Sequence, residues 1–139
     1  MTSDIATARS LLAGNVTCAF AKGNKTFVRT ERGVAPLLAL IDSGEDYGGF
    51  SAADKVVGKA AAMLYVRLGI KELYAGVLGV TGAEVLYRHG IRYDYGTLTD
   101  RIINRAGDGY CPMELAVENV SDAEEGERKI RARSKELRD

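Results

Sequence analysis

The chain carries no excess of charge of either sign: among its 139 residues, Lys plus Arg and Asp plus Glu stand at 19 each. With no global field to draw in a polyanion, any anion site has to be local, and affinity for nucleic acid polymers is not expected. Histidine occurs once, as His89, and cysteine twice, as Cys18 and Cys111. Two thiols so far apart do not make the framework of a small secreted fold. The opening run M-T-S-D-I-A-T-A-R also lacks the basic and apolar regions of a secretory signal. Both cysteines are therefore read as free thiols in a reducing, cytoplasmic setting. Long apolar runs are missing as well. Each is broken by Lys, Arg or Gly well short of the about 20 residues that cross a bilayer, so no membrane partner is expected. Repeats, low-complexity tracts and linker-like stretches are also absent.

What is present reads as one folded unit over residues 1–139. Hydrophobic residues make up 46% and charged residues 27%, ordinary globular usage, and a chain of this size buries roughly two thirds of its unfolded surface. Residues 3 to 13 place Ile5, Ala8, Leu11 and Leu12 on one helical stripe that stops at Gly14-Asn15. The β-rich runs Val16 to Lys22 and Thr26 to Thr30 flank Gly23-Asn24 and predict an antiparallel hairpin. Pro36 and Gly44 punctuate a short helix around L-L-A-L-I-D. Residues 51 to 68 are apolar around most of a helical circumference and predict the longest helix, buried against a sheet. Leu73 to Val80 reads as a central strand covered on both faces, residues 81 to 89 as a helix, and Ile91 to Tyr95 as a strand. Strand, helix, strand with short links predicts a parallel crossover. The C-terminal third reads as helical, with a break at N-R-A-G-D-G-Y-C-P. The expected fold is thus α/β, a three-layer α/β/α sandwich on a mixed sheet.

Four segments share a capping-box pattern: Ser51-A-A-Asp54, Thr81-G-A-Glu84, Thr97-L-T-Asp100 and Ser121-D-A-Glu124. Thr97 and Ser121 are read as plain helix starts. Ser51 and Thr81 open the helices flanking the apolar strand, where helix N-termini and strand ends form the ligand crevice of open α/β sheets. Asp54, Lys55 and Lys59 add titratable groups there, the two lysines sharing a face at i, i+4. Cys111, directly before Pro112, sits where a helix dipole favours the thiolate, and Asn104, Arg105 and Glu114 lie around the same turn. His89, in the last turn of a helix, is read as a cap.

Several phrases carry a resemblance over about residues 11 to 130: R-G-V-A-P-L-L, I-D-S-G-E-D-Y-G-G-F-S-A-A-D-K-V-V-G-K-A-A-A and I-I-N-R-A-G-D-G-Y-C-P-M-E. The chain resembles a bacterial family of unknown function with the cytidine-deaminase-like fold. Zinc deaminases of that fold place His-x-Glu at the start of the long helix and Pro-Cys-x-x-Cys at the start of the next. The resemblance implies that Ala52-Ala53-Asp54 and Gly79-Val80-Thr81-Gly82-Ala83 stand at those positions, without metal ligands and with Asp54 in place of the catalytic acid. Hydrolytic deamination by the usual zinc route would then fail.

The leading expectation is a zinc-independent site without a cofactor. It takes a small anionic or nucleotide-like ligand among Ser51, Lys55, Lys59, Thr81, Asn104, Arg105 and Glu114, with Asp54 as acid/base or Cys111 as nucleophile. A regulatory or oligomerisation module is the alternative from another class, its mark being a closed crevice with Lys55 and Lys59 paired to carboxylates. A third reading rebuilds a metal site for a hydrolase from Cys111, Glu114 and Asp54. A homo-oligomer is expected on fold analogy.

Overall fold

The computed structural model describes residues 3–103, 107, 109 and 111–138. Ser3 accepts the Ala6 amide at 3.2 Å and starts helix α1, Asp4–Leu11. Strands β1, Cys18–Lys22, and β2, Lys25–Arg29, form the expected hairpin, with Lys22 opposite Lys25. The positive φ of the turn, +60°, falls on Gly23, the first central position, as a type II′ turn requires. Pro36 stands in the first turn of helix α2, Ala35–Asp42.

The next segment corrects the sequence reading. Residues 51 to 68 are a strand and a helix: β3, Ser51–Val57, and α3, Lys59–Leu68, separated by Gly58 with extended backbone (φ −103°, ψ −165°). Ala52 and Ala53 are both fully buried, one in the main core and the other in the small core beneath α1. A strand covered on both faces shows no alternation, so its apolar run cannot be told from a buried helix by periodicity. Strand β4, Glu72–Gly79, helix α4, Val80–Arg88, and strand β5, Arg92–Thr99, follow as expected in kind, with β5 longer than its sequence suggests. Helices α5, Pro112–Ala116, and α6, Ala123–Arg138, complete the described chain.

None of the four hydroxyls read as capping a helix sits at an N-cap. Ser51 and Thr97 lie in strands, and Thr81 is the second residue of α4, whose N-cap is Gly79. Ser121 is one residue early, because the Asp122 carboxylate accepts the Glu125 amide at 3.2 Å before α6. A hydroxyl three residues before an acid is common in strands and turns, and the pattern alone does not select a helix start. His89 does cap α4: it is the C-cap residue, with Nδ1 2.9 Å from the Val85 carbonyl.

The five strands form one mixed sheet in the order β2-β1-β3-β4-β5, antiparallel across β2-β1-β3 and parallel across β3-β4-β5. Helix α1 covers one face through Ala8 against Ala21 and Ala53. Helices α2, α3 and α4 cover the other, and α6 packs on the outside of α3. The architecture is a three-layer α/β/α fold with a helical C-terminus. No helix among the described residues is long and apolar enough to cross a membrane.

The three parallel strands share an offset. Leu73 and Ala75 of β4 point into the main core and so does Leu78, so the two-residue alternation breaks between Ala75 and Leu78. At that level Lys55, Gly76 and Gly96 lie side by side between the paired rows 54-75-95 and 56-77-97. A Cβ on Gly76 would lie 2.8 Å from the Lys55 carbonyl oxygen, and one on Gly96 2.9 Å from that of Gly76. The offset leaves Lys55 and Val56 exposed and returns Val57 to the core. Because the obstructing atoms are backbone, Gly76→Ala is expected to lower unfolding free energy by about 1–3 kcal/mol in urea denaturation. Gly90→Ala, with nothing within 4 Å of its added Cβ, probes only the backbone cost of a positive φ.

Candidate functional site

Beyond the carboxyl end of β3 the sheet changes direction, with antiparallel β1 on one side and parallel β4 on the other. The crevice outside such a reversal is where open α/β sheets take ligands. A cleft of about 280 Å³ lies there, bounded by β3, the starts of α2 and α3, and the segment leading into α5. Asp54, Lys55, Cys111 and Glu114 line it together, joined by Arg32, which the sequence reading had not singled out. Its walls are largely apolar, from Val34, Pro36, Ala60 and Met113.

Asp54 is held from two sides. Its Oδ2 accepts the hydroxyl of Tyr65 from α3 at 2.7 Å, and its Oδ1 accepts the Val56 amide at 3.2 Å, bracing the strand offset. The residue is half-buried, with the carboxyl end turned inward. Removal from water pushes its pKa up from the ordinary 3.8 to about 6, against the lowering effect of the Tyr65 hydroxyl and the backbone amides. Tyr65 is fully buried, and burial together with the neighbouring carboxylate raises its own pKa. Cys18 stands opposite Asp54 across the β1–β3 ladder. Its thiol is pushed up to about 12, first by burial and then by the Asp54 charge. Both cysteines are free.

Glu114 closes the cleft on its far side. From α5 its Oε1 accepts the Lys59 amide at 2.7 Å and its Oε2 the Ala60 amide at 2.8 Å, so one carboxylate satisfies two first-turn amides of α3 and meets the positive end of its dipole. Gly58 is the residue that admits it, since a Cβ there would collide with the Glu114 carboxylate and with Ile102. Glu114 and Ile102 also line a second cleft of about 390 Å³ at the ends of β4 and β5. That cleft is bordered by Lys59, Thr81, Asp100, Arg101 and Glu118.

The predicted residues therefore divide. Asp54, Lys55, Cys111 and Glu114 share the first cleft, while Lys59 and Thr81 face the second. The shared helical face expected for Lys55 and Lys59 does not exist, because one is in β3 and the other in α3. Ser51 falls outside both clefts: it is fully buried at the opposite end of β3, and its hydroxyl has no partner among the described residues. Asn104 and Arg105 lie outside the described residues. Asp54 is mid-strand, so its correspondence with the helix-borne acid of a zinc deaminase has no positional basis, and its candidacy rests on its own surroundings. Nor is the N-terminus of α3 open to an anion, since Glu114 fills it. Lys55 Nζ donates to the Gly14 carbonyl at 2.6 Å and Lys59 Nζ to the Glu118 carbonyl at 3.1 Å; neither is paired with a carboxylate among the described residues.

Sequence reasoning missed Tyr65 as well as Arg32. In a continuous helix over 51 to 68, Tyr65 would stand three turns from Asp54; only the break at Gly58 folds them together. Glycine inside a presumed helix, which costs about 1 kcal/mol relative to Ala, was the available signal.

Two outcomes follow. Asp54 binds its proton more tightly in the folded than in the unfolded chain. Its contribution to stability is therefore greatest below pH 3.8, falls as pH rises, and levels off above about 6. In denaturant titrations, the stability of the unaltered chain relative to Asp54→Asn is expected to decline by about 3 kcal/mol across that window. Glu114→Ala, which strips two amides of their acceptor, is expected to cost about 1–2 kcal/mol by the same assay, and Glu114→Gln less.

Residues 6–133 match the family described as a domain of unknown function, DUF1893. Among solved structures, a DUF1893 family protein from Thermotoga maritima superposes with a TM-score of 0.78 at 23% identity, over 84% of this chain and 80% of that one. At that identity the likeness speaks for the fold. No curated protein sequence matches. With the family match spanning nearly the whole chain and a family structure sharing its fold, the chain belongs to the DUF1893 family.

Proposed function

We propose that this protein binds a small, anionic, nucleotide-like molecule in the cleft at the end of β3, and that Asp54 acts on it as a general acid/base without zinc. The observation that carries this reading is a carboxyl group, tied to Tyr65, lining an apolar-walled cleft that two cations, Arg32 and Lys55, also border. Apolar walls accept a flat ring, and the cations supply the seat for its anionic group that α3 cannot, its N-terminus being filled by Glu114. A carboxyl near 6 has both protonation states populated close to neutrality, as proton transfer in either direction requires. Tyr65 fixes which oxygen points where. Cys111 shares the cleft and is the candidate nucleophile.

The nucleotide element rests on the resemblance to the cytidine-deaminase-like fold. A hairpin followed by two parallel crossovers on a mixed sheet supports that resemblance. Zinc fits these residues poorly. No histidine lines the cleft, Cys111 supplies its one thiol, and both oxygens of Glu114 are engaged by amides. Among the described residues no three His, Cys, Asp or Glu come together as metal ligands. Lysines bonded to carbonyls beside an open cleft also favour a ligand site over a crevice closed by ion pairs.

The test is calorimetric titration with cytidine 5′-monophosphate and with inorganic phosphate. Saturable nucleotide binding is expected, weakened about tenfold by Arg32→Ala and again by Lys55→Ala, with Asp54→Asn removing the part of its pH dependence near 6 that exceeds the titration of the nucleotide's own phosphate. Absence of binding by both probes, or binding indifferent to Arg32 and Lys55, would overturn the reading.

A further inference from the structure

Helix α5 is five residues long and none of them is buried. Met113 reaches the core but is only partly covered, and Leu115 stands 50% exposed. Immediately after α5 the chain is anchored: Val117 is fully buried and Val120 nearly so. A segment that buries little opens at low cost while the anchor beside it stays in place, so their junction is a hinge. Among the described residues, two ties hold 111–116 down. The Glu114 carboxylate accepts the Lys59 and Ala60 amides, and the Cys111 amide donates to the Ile102 carbonyl at 3.0 Å. The bond from Lys59 Nζ reaches the Glu118 carbonyl, beyond the hinge, and does not restrain the segment.

A helix is ordinarily capped by its own N-cap side chain, with help from the residue three positions on. In α3 the N-cap is Gly58, which has no side chain to offer, and the acceptor comes from 55 residues away. The φ of Gly58, −103°, is open to any residue, so it is the seat of Glu114 and not the backbone that demands glycine there. Room lies on both sides, because Glu114 and Ile102 stand between clefts of about 280 and 390 Å³. We propose that residues 111–116 form a lid on the first cleft, latched by Glu114 on the first turn of α3 and hinged at Val117. Closed, the lid sets Cys111, Met113 and Glu114 along one wall of that cleft. Open, it withdraws the wall and joins the two clefts. The latch is reversible, since water from either cleft can replace the carboxylate on both amides. That the lid admits a ligand rests on the function proposed above; that it moves does not.

Amide hydrogen exchange of the ligand-free chain, resolved by nuclear magnetic resonance, reads the movement. Lys59, Ala60 and Cys111 lose their acceptors in one event, so their amides are expected to share one opening free energy. They should exchange well ahead of Met63 and Leu64 within α3, and without the denaturant dependence of global unfolding. Glu114→Ala is expected to speed exchange at Cys111 about tenfold, although that amide is bonded to Ile102; a carboxylate that only capped α3 would leave it alone. Gly58→Ser separates the two roles. Its hydroxyl caps α3 in place and its Cβ evicts Glu114, so Cys111 should exchange faster while the α3 amides keep their protection. With the lid unlatched, cytidine 5′-monophosphate should both enter and leave Glu114→Ala about tenfold faster than the unaltered chain. Exchange at Cys111 unmoved by both substitutions, or three amides that open only with the whole fold, would overturn the lid. A nucleotide that binds both chains at one association rate would overturn its gating role, whereas no nucleotide binding at all would sink only the function proposed for the cleft.

Discussion

One carboxylate organises the end of this molecule that carries both clefts. Glu114, reaching from α5 to the first turn of α3, satisfies two amides that would otherwise face a cavity and neutralises the positive end of the central helix. Together with Ile102 it borders both clefts beyond the strand ends. It also requires glycine at position 58. The anion site that α/β folds commonly keep at such a helix start is thus filled from within. The cations that border the first cleft, Arg32 and Lys55, stand at its other side.

Most of the fold is legible in the sequence, because its strongest signals are local. The Ser3 start, the Gly23-Asn24 turn, Pro36 in α2 and the apolar run of β4 each depend on neighbours a few residues away. The misreading of 51 to 57 has a tertiary cause. Ala52 and Ala53 face different cores, and a strand buried on both sides loses the period that would identify it. The site is less legible than the fold. Asp54, Lys55, Cys111 and Glu114 were recognisable as a chemistry-bearing set, but what each touches is decided at long range. Glu114 meets an amide 55 residues away, and Tyr65 meets Asp54 only after the chain doubles back. Ser51 looked like a helix cap by its spacing and is a core residue by its packing.

The glycine row explains how a sheet this regular turns the Asp54 carboxyl toward Tyr65. In an unbroken β3, Asp54 and Val56 would face the same layer and Lys55 the other. Shifting phase at Lys55, Gly76 and Gly96 lets the strand deliver a carboxyl to Tyr65, a lysine to the cleft and a valine to the core within four residues. The Val56 amide bonded to Asp54 holds the step in place. Stability and site geometry are coupled through this row, so changes made for one will register in the other.

The two thiols inherit opposite fates from this arrangement. Cys18 is sealed in the ladder beside Asp54 with its proton held up to about 12, while Cys111 borders the cleft, half-exposed. An electrophile added to the folded protein therefore meets a single competent sulfur. The chain comes with a built-in attachment point for a reporter at the cleft beside β3, and no cysteine has to be removed to use it.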